Sequence, residues 1–497
     1  MREMVDLLVI GGGVNGAGIA RDAAGRGLSV TLVERGDLGG ATSSNSSKLV
    51  HGGLRYLEHR EFRLVREALA EREVLLRLAP HIVWPMRFVL PHVPEMRARW
   101  MLRAGLFLYD HLAKRVTLPG SEALDLRRHP WGAPLNGHAT HGFAYSDAWV
   151  EDSRLVVLNA RDAAARGAEI RVRTTFTGAR RDAEGWTVTV EAEDGRTETL
   201  RARAIANAAG PWVMQALDGT GVQAPDRIRL VRGSHIVVPA LYAGNQAYIL
   251  QNDDRRVVFV IPYQGRFTLI GTTDVPHDPA SGPPRCTPEE AAYLCAAVSR
   301  QFRKPVTPED IVWTYSGVRP LHDDGAENPS AVTRDYVLKL DRSAAPLLSI
   351  FGGKITTFRR LAEDATTQLC DALGRPGGAW TAGSTLPGGD LGGRTPEAFL
   401  KEAARRYPFL QDATLQRLFH CYGGELDRVL GEARDAAELG HDLGGGITER
   451  ELSWMVQQEW VRRPEDALWR RTKRGLHMTE DERQAFAHAF SGVAQAA

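Results

Sequence analysis

Three glycines near the start of the chain, Gly11, Gly13 and Gly16, form G-x-G-x-x-G between an apolar run, VDLLVI, and a helix-forming stretch. Without Cβ atoms, such a turn lets backbone N–H groups approach a pyrophosphate, and the helix N-terminus behind it attracts the negative charge. Glu34 closes the next apolar run about 20 residues downstream, where a carboxylate accepts both hydroxyls of an adenosine ribose and repels a 2′-phosphate. The spacing points to a dinucleotide other than NADP, and FAD and NAD share this fingerprint. Two later glycine turns favour FAD. One is AAGPW (residues 208–212) at the end of a strand-like run; the other is Gly352-Gly353, expected to open a helix whose amides face a flavin.

These residues need a scaffold. Residues 5–10, 15–25 and 29–34 read as strand, helix and strand, one βαβ unit. A polar loop, ATSSNSSKLVHGG, and an amphipathic helix over 61–79 follow. From 80 to 149 short proline-punctuated apolar runs suggest an inserted layer, before a helix over 154–167. The runs RIRLVRGSHIVVP, VVFVIPY, RFTLIGTTD and VWTYSGVRPL suggest a mixed or antiparallel sheet roofing a cavity. LLSIFGG and a helix from 354 repeat the opening grammar. Beyond about residue 392 helical signals dominate, with a capping box at Thr448–Glu451. The expected fold class is α/β (α+β overall). It comprises a discontinuous Rossmann-type FAD-binding domain (1–80, 150–225, 335–385), a mixed-sheet substrate domain (81–149, 226–334) and a C-terminal helical cap (386–497).

Lys+Arg at 62 against Asp+Glu at 61 leaves no global field to draw the chain onto nucleic acid or lipid. The four cysteines, Cys286, Cys295, Cys370 and Cys421, form no CxxC pair or metal-binding cluster. No metal is expected. No run reaches the roughly 20 apolar residues of a membrane span, and the N-terminus lacks a secretory pattern. A cytoplasmic protein, with any membrane contact peripheral, is the expectation.

The residues resemble the FAD-dependent glycerol-3-phosphate dehydrogenases of the glycine/D-amino-acid oxidase superfamily. IGGGVNGAGIARDAAGRG (10–27), SSKLVHGGLRYLE (46–58) and GGKITTFRRLA (352–362) are similar to the family's signatures. RGSHIVVP, YSGVRPL, TRDY and EWVRRPEDALWRRTKRGL extend the likeness over nearly the whole chain. One departure is Phe358, where the second signature usually carries Tyr. The resemblance implies FAD contacts at Gly11, Gly13, Gly16, Glu34, Arg35, Thr42, Ser43, Ser47, Lys48, Leu49 and His51. It implies further contacts at Ala209, Gly210, Gly353, Lys354, Ile355 and Thr356.

The substrate so implied, sn-glycerol 3-phosphate, carries a dianionic phosphate and a secondary alcohol, and needs clustered cations and a base. Arg55, Arg334 and Lys354, with a hydrogen bond from Tyr56, are expected at the phosphate. Arg319 is expected near the C2 oxygen, where a fixed cation favours the developing carbonyl. His235 is expected as the base, with His51 as its rival, because an imidazole titrates near neutrality. The reaction implied is loss of the hydroxyl proton with hydride transfer from C2 to flavin N5, giving dihydroxyacetone phosphate.

Length, and the lack of an inserted segment like that of the oxygen-using oxidases, points by analogy to a respiratory quinone. An oxidase releasing hydrogen peroxide, or a non-catalytic FAD- or nucleotide-binding protein, are the competing readings. The segment RARWMLRAGLFLYDHLAKR (97–115) has a composition suited to the inner-membrane surface. Packing against its own domain, or against a partner in a homodimer, accounts for it equally well.

Overall fold

The computed structural model describes residues 3–59, 61–93, 98–223, 227–254, 256–323 and 335–496, with the backbone alone at Arg55, Glu58, His59 and Ala496. Arg334 and the Arg55 side chain lie outside the described residues. Strand Val5–Ile10 is buried along nearly its whole length, as its unbroken apolar run requires for a parallel sheet covered on both faces. It pairs in parallel with Val30–Val33 on one side and Thr197–Asn207 on the other. Leu347–Phe351 and Glu169–Arg171 extend the parallel core outward. An antiparallel hairpin, Thr174–Arg181 with Trp186–Ala192, and the edge strand Val337–Asp341 complete the eight strands of this sheet.

Helix Val14–Gly25 packs against helices Asp152–Ala165 and Phe358–Leu373. Its inner positions are small, among them Gly16, Ala17, Gly18 and Ala20, so the neighbours approach closely. A Cβ on Gly18 would lie 3.0 Å from Phe358, which is only 1 % exposed. The benzyl side chain at the departed position thus sits in a dry helix–helix contact. The helix expected from 354 begins at Phe358 instead. Gly352 and Gly353 take φ of +75° and +97°, which no helix continues, and residues 354–357 form a separate turn.

A second sheet of ten strands lies beside the first. Its spine is Ile228–Pro239, paired antiparallel with Phe267–Gly271 and Trp313–His322. The region expected as an inserted layer belongs to this same sheet. Val83–His92 and His141–Val150 pair antiparallel over ten residues. Pro85 and Pro91 disguised the first of these strands. Its other side pairs only through Phe88 and Val89 to Ala247–Gln251, so neither proline breaks a ladder there.

The C-terminal region is helical, with Pro396–Arg406, Asp412–Tyr422, Glu449–Gln458 and Glu480–Ala496 around two apolar clusters. Only half of the expected capping box forms. Thr448 accepts from the Glu451 backbone N–H, while the Glu451 carboxylate is taken by both terminal nitrogens of Arg417. Buried ion pairs dock this region on the parallel sheet's layer, Arg154 to Glu459 at 2.5 Å and Arg161 to Glu425 at 2.5 Å.

Candidate active site

One cavity of roughly 1470 Å³ runs from the first glycine turn to the spine of the second sheet. That exceeds the ~300–1,000 Å³ usual for a single small ligand and suits a dinucleotide with a substrate beside it. Its wall includes Gly11, Gly13, Glu34, Arg35, Thr42, Ser43, Ser47 and Leu49 from the first quarter of the chain. His51, Tyr56, Ala209, Gly210, His235, Arg319, Gly353, Lys354, Ile355 and Thr356 share the same cavity.

The opening turn has the form a pyrophosphate cradle requires. Gly11 has φ +105°, and a Cβ on it would lie 2.6 Å from the Ala208 carbonyl oxygen. Gly16 is not on the wall; a Cβ there would fall 1.9 Å from the Gly11 oxygen, so its role is to let helix and turn touch. Ser43 Oγ accepts from the Val14 N–H at 3.0 Å, and Gly13, whose added Cβ would meet that hydroxyl at 3.2 Å, keeps the contact open. Glu34 accepts the Gly12 and Gly36 N–H groups at 2.6 and 2.7 Å. Burial raises its pKa while those two donors and Arg35 pull it back. A carboxylate has about four acceptor positions, which leaves two for ribose hydroxyls. Arg35 lies over the Trp212 ring at 3.7 Å, a contact absent from the sequence reading although AAGPW contains the tryptophan.

The turn at Gly352-Gly353 opens onto the same cavity. Asn15 Nδ2 donates to the Gly352 carbonyl at 3.2 Å, tying this turn to the first helix. Thr356 Oγ1 accepts from the His51 N–H at 3.2 Å, joining the two loops that carry His51 and Lys354. Lys354 Nζ stands 4.1 Å from the centre of the Tyr56 ring, a cation–π contact.

At the sheet end of the cavity His235 stacks on Tyr315, centroids 4.7 Å apart and planes 15° from parallel. Its Nε2 lies 2.9 Å from Ser47 Oγ, and the Tyr315 hydroxyl donates to the Ser46 carbonyl at 2.8 Å. The polar loop is thereby held against the strand bearing the imidazole. His235 does not keep an ordinary histidine pKa. Burial, then Arg319 and Lys48, push it well below the usual value, so the ring is neutral around pH 7. Arg319 donates through Nη1 to Asp274 at 2.5 Å and through Nη2 to Thr272 at 3.3 Å. Gly233 leaves room for that guanidinium, since a Cβ there would lie 2.6 Å from Nη2. Asp274 and Thr272, in IGTTD, were not singled out from the sequence; nothing local marks a pair that the Gly271 end of one strand presents to another.

Lys48 departs from its expected place at the cofactor. Its side chain is off the cavity wall and fully buried, with Nζ 2.9 Å from both oxygens of Asp152 and 3.0 Å from the Ser44 carbonyl. Asp152 opens helix Asp152–Ala165 and draws the ammonium inward. Among the described residues no cluster of His, Cys, Asp and Glu could hold a metal.

Parallel sheet, glycine cradle and acidic strand end define a dinucleotide-binding protein, and the family match makes it a flavoprotein oxidoreductase. Residues 6–359 match the family described as FAD dependent oxidoreductase, and residues 379–496 match the C-terminal domain of alpha-glycerophosphate oxidase. The chain is 51 % identical to the aerobic glycerol-3-phosphate dehydrogenase of Escherichia coli strain K12, covering 97 % of this chain and 96 % of that one. It is also 51 % identical to the D-erythritol 1-phosphate dehydrogenase of Brucella abortus, over 99 % and 98 %. The crystal structure of the glycerol-3-phosphate dehydrogenase from Bacillus halodurans complexed with FAD superposes with a TM-score of 0.76 at 27 % identity, covering all of this chain and 95 % of that one. The chain belongs to the family of FAD-dependent glycerol-3-phosphate dehydrogenases and their relatives, with FAD as its cofactor.

Proposed function

We propose that this enzyme oxidises sn-glycerol 3-phosphate to dihydroxyacetone phosphate. The observation that carries this reading is the grouping of His235, Arg319, Lys354, Tyr56 and His51 on the wall of the cavity that also holds the glycine cradle. Bound FAD supplies the hydride acceptor at flavin N5. Neutral His235 takes the hydroxyl proton, oriented by Ser47 and by its stack on Tyr315. Arg319, immobilised by Asp274 and Thr272, favours the oxygen as it becomes a carbonyl. Lys354 binds the phosphate, joined in this reading by Arg55 and Arg334.

A second substrate has a specific observation behind it. The D-erythritol 1-phosphate dehydrogenase from Brucella is as similar to this chain as the glycerol-3-phosphate dehydrogenase from Escherichia coli is, over nearly the full length. A four-carbon polyol phosphate places the same alcohol and phosphate on a longer chain. Anaerobic mixing of the yellow holoenzyme with each phosphoester decides between them. The reading expects rapid bleaching of flavin absorbance by glycerol 3-phosphate, with kcat/KM above that for erythritol phosphate. The reverse order moves the enzyme to the longer substrate, and no bleaching by either refutes both.

The electron acceptor we propose is a membrane quinone. Helix Arg99–His111 supports peripheral contact with the inner-membrane surface. Leu106 and Tyr109 are buried, whereas Trp100, Met101, Phe107 and Leu108 are exposed, Trp100 by 71 %. Among the described residues no helix is long and apolar enough to cross a membrane. Turnover with quinone and without hydrogen peroxide is expected; stoichiometric peroxide in its absence would mark an oxidase.

A further inference from the structure

The wall of the cavity also contains residues from far along the chain. Arg463, Glu465, Asp466 and Arg470 line it alongside Glu34 and Arg35. They belong to the helical module, about a hundred positions past residue 359, where the match to the FAD-dependent oxidoreductases ends. Two buried carboxylates knit the modules together here. Asp37, three residues beyond Glu34, accepts from Arg471 at 2.7 and 2.8 Å and from Arg470 Nε. Asp466 accepts Arg173 Nη2 at 3.0 Å on both oxygens, the Arg462 and Arg463 N–H groups at 3.0 Å, and Arg470 Nη2.

In a βαβ dinucleotide site the pyrophosphate lies at the glycine turn and the adenosine at the acidic end of the second strand. Arg470, bonded to Asp37 three residues beyond Glu34, therefore lies at the adenosine end of the cavity, away from the substrate. Arg470 is one-fifth exposed, and Asp37 and Asp466 engage two of its three nitrogens. Its guanidinium is locked, and its Nη1 can donate without further ordering. We propose that the helical module forms the outer wall of the adenosine subsite, with Arg470 Nη1 as a donor to the adenosine moiety, and that this contact holds FAD in place. The inference rests on FAD being the cofactor and is independent of which polyol phosphate is oxidised.

The test uses the full-length holoenzyme and Arg470→Ala. Asp37 keeps Arg471 and Asp466 keeps Arg173 in that variant, so no buried carboxylate is stranded. Flavin is stripped with bromide, and the full chain is titrated with FAD and with FMN, which lacks adenosine. Fluorescence quenching reads each affinity. Losing a charge-assisted hydrogen bond weakens FAD on the order of ten- to hundredfold, with FMN affinity unchanged. Arg463→Ala, at a side chain 55 % exposed, gives a smaller FAD-selective loss and serves if the first variant does not fold. Unchanged FAD affinity in the folded variants, or equal weakening of FAD and FMN, overturns the proposal.

Discussion

Replacing Lys48 by Met separates a cofactor contact from a structural one. The ammonium and Asp152 are both fully buried and 2.9 Å apart. Removing one partner of such a pair costs ~3–5 kcal/mol, because the remaining charge stays buried. Asp152 would keep donors from Ser46 Oγ at 2.8 Å, Ser153 N at 2.8 Å and Ser46 N at 3.3 Å, which places the loss at the lower end. At ~2.1 cal/mol/K per residue the whole chain unfolds with an entropy of about 1 kcal/mol/K, so ~3 kcal/mol lowers Tm by roughly 3 °C. Calorimetry of the holoenzyme measures the shift, and absorbance of the same sample gives flavin per protein. The structure requires a lower Tm with full flavin occupancy. Combining K48M with Asp152→Asn should recover much of the loss, since the stranded charge is gone. If K48M melts like the wild type but purifies colourless, the ammonium serves the cofactor and not Asp152.

Other perturbations probe other parts of the site. Gly16→Ala puts a Cβ 1.9 Å from the Gly11 oxygen, a backbone atom that cannot step aside, so the variant should purify with most of its visible flavin absorbance gone. Arg319→Lys retains charge but loses the fork on Asp274 and Thr272; stopped-flow kinetics should show kcat reduced on the order of ten- to hundredfold with little change in KM. A rise in KM alone would move Arg319 to the phosphate. Changing Trp100 and Phe107 to polar residues should release the protein from anionic vesicles while dye-linked activity persists, and retention on the vesicles would contradict the membrane reading. His81 and His235 are buried with pKa values pushed well down, His81 by burial and then Arg154 and His420. Below about pH 6.5 only the unfolded imidazoles bind protons, so stability falls with pH at up to ~1.4 kcal/mol per unit for each. Urea midpoints should therefore hold steady above pH 7 and decline by pH 5.5, with His81→Asn removing part of the decline.

The chemistry carried by backbone and by spacing was legible in the chain alone. Gly11, Gly13 and Gly16 matter for what they lack, and Glu34 for its distance along one βαβ unit, so local sequence determines both. Element types followed from apolar periodicity in the same way, except where Pro85 and Pro91 hid a long strand. Only the folded chain decided which cations reach the cavity. Lys48 and Arg319 both carry one positive charge in the sequence, yet Asp152, more than a hundred residues from Lys48, buries one, while Asp274 holds the other at the wall. Likewise no local pattern could reveal that Arg470 meets Asp37 across 433 positions. Coulombic pairing and desolvation act through space, and the spatial neighbours of a charge are set by how two sheets and a helical module pack.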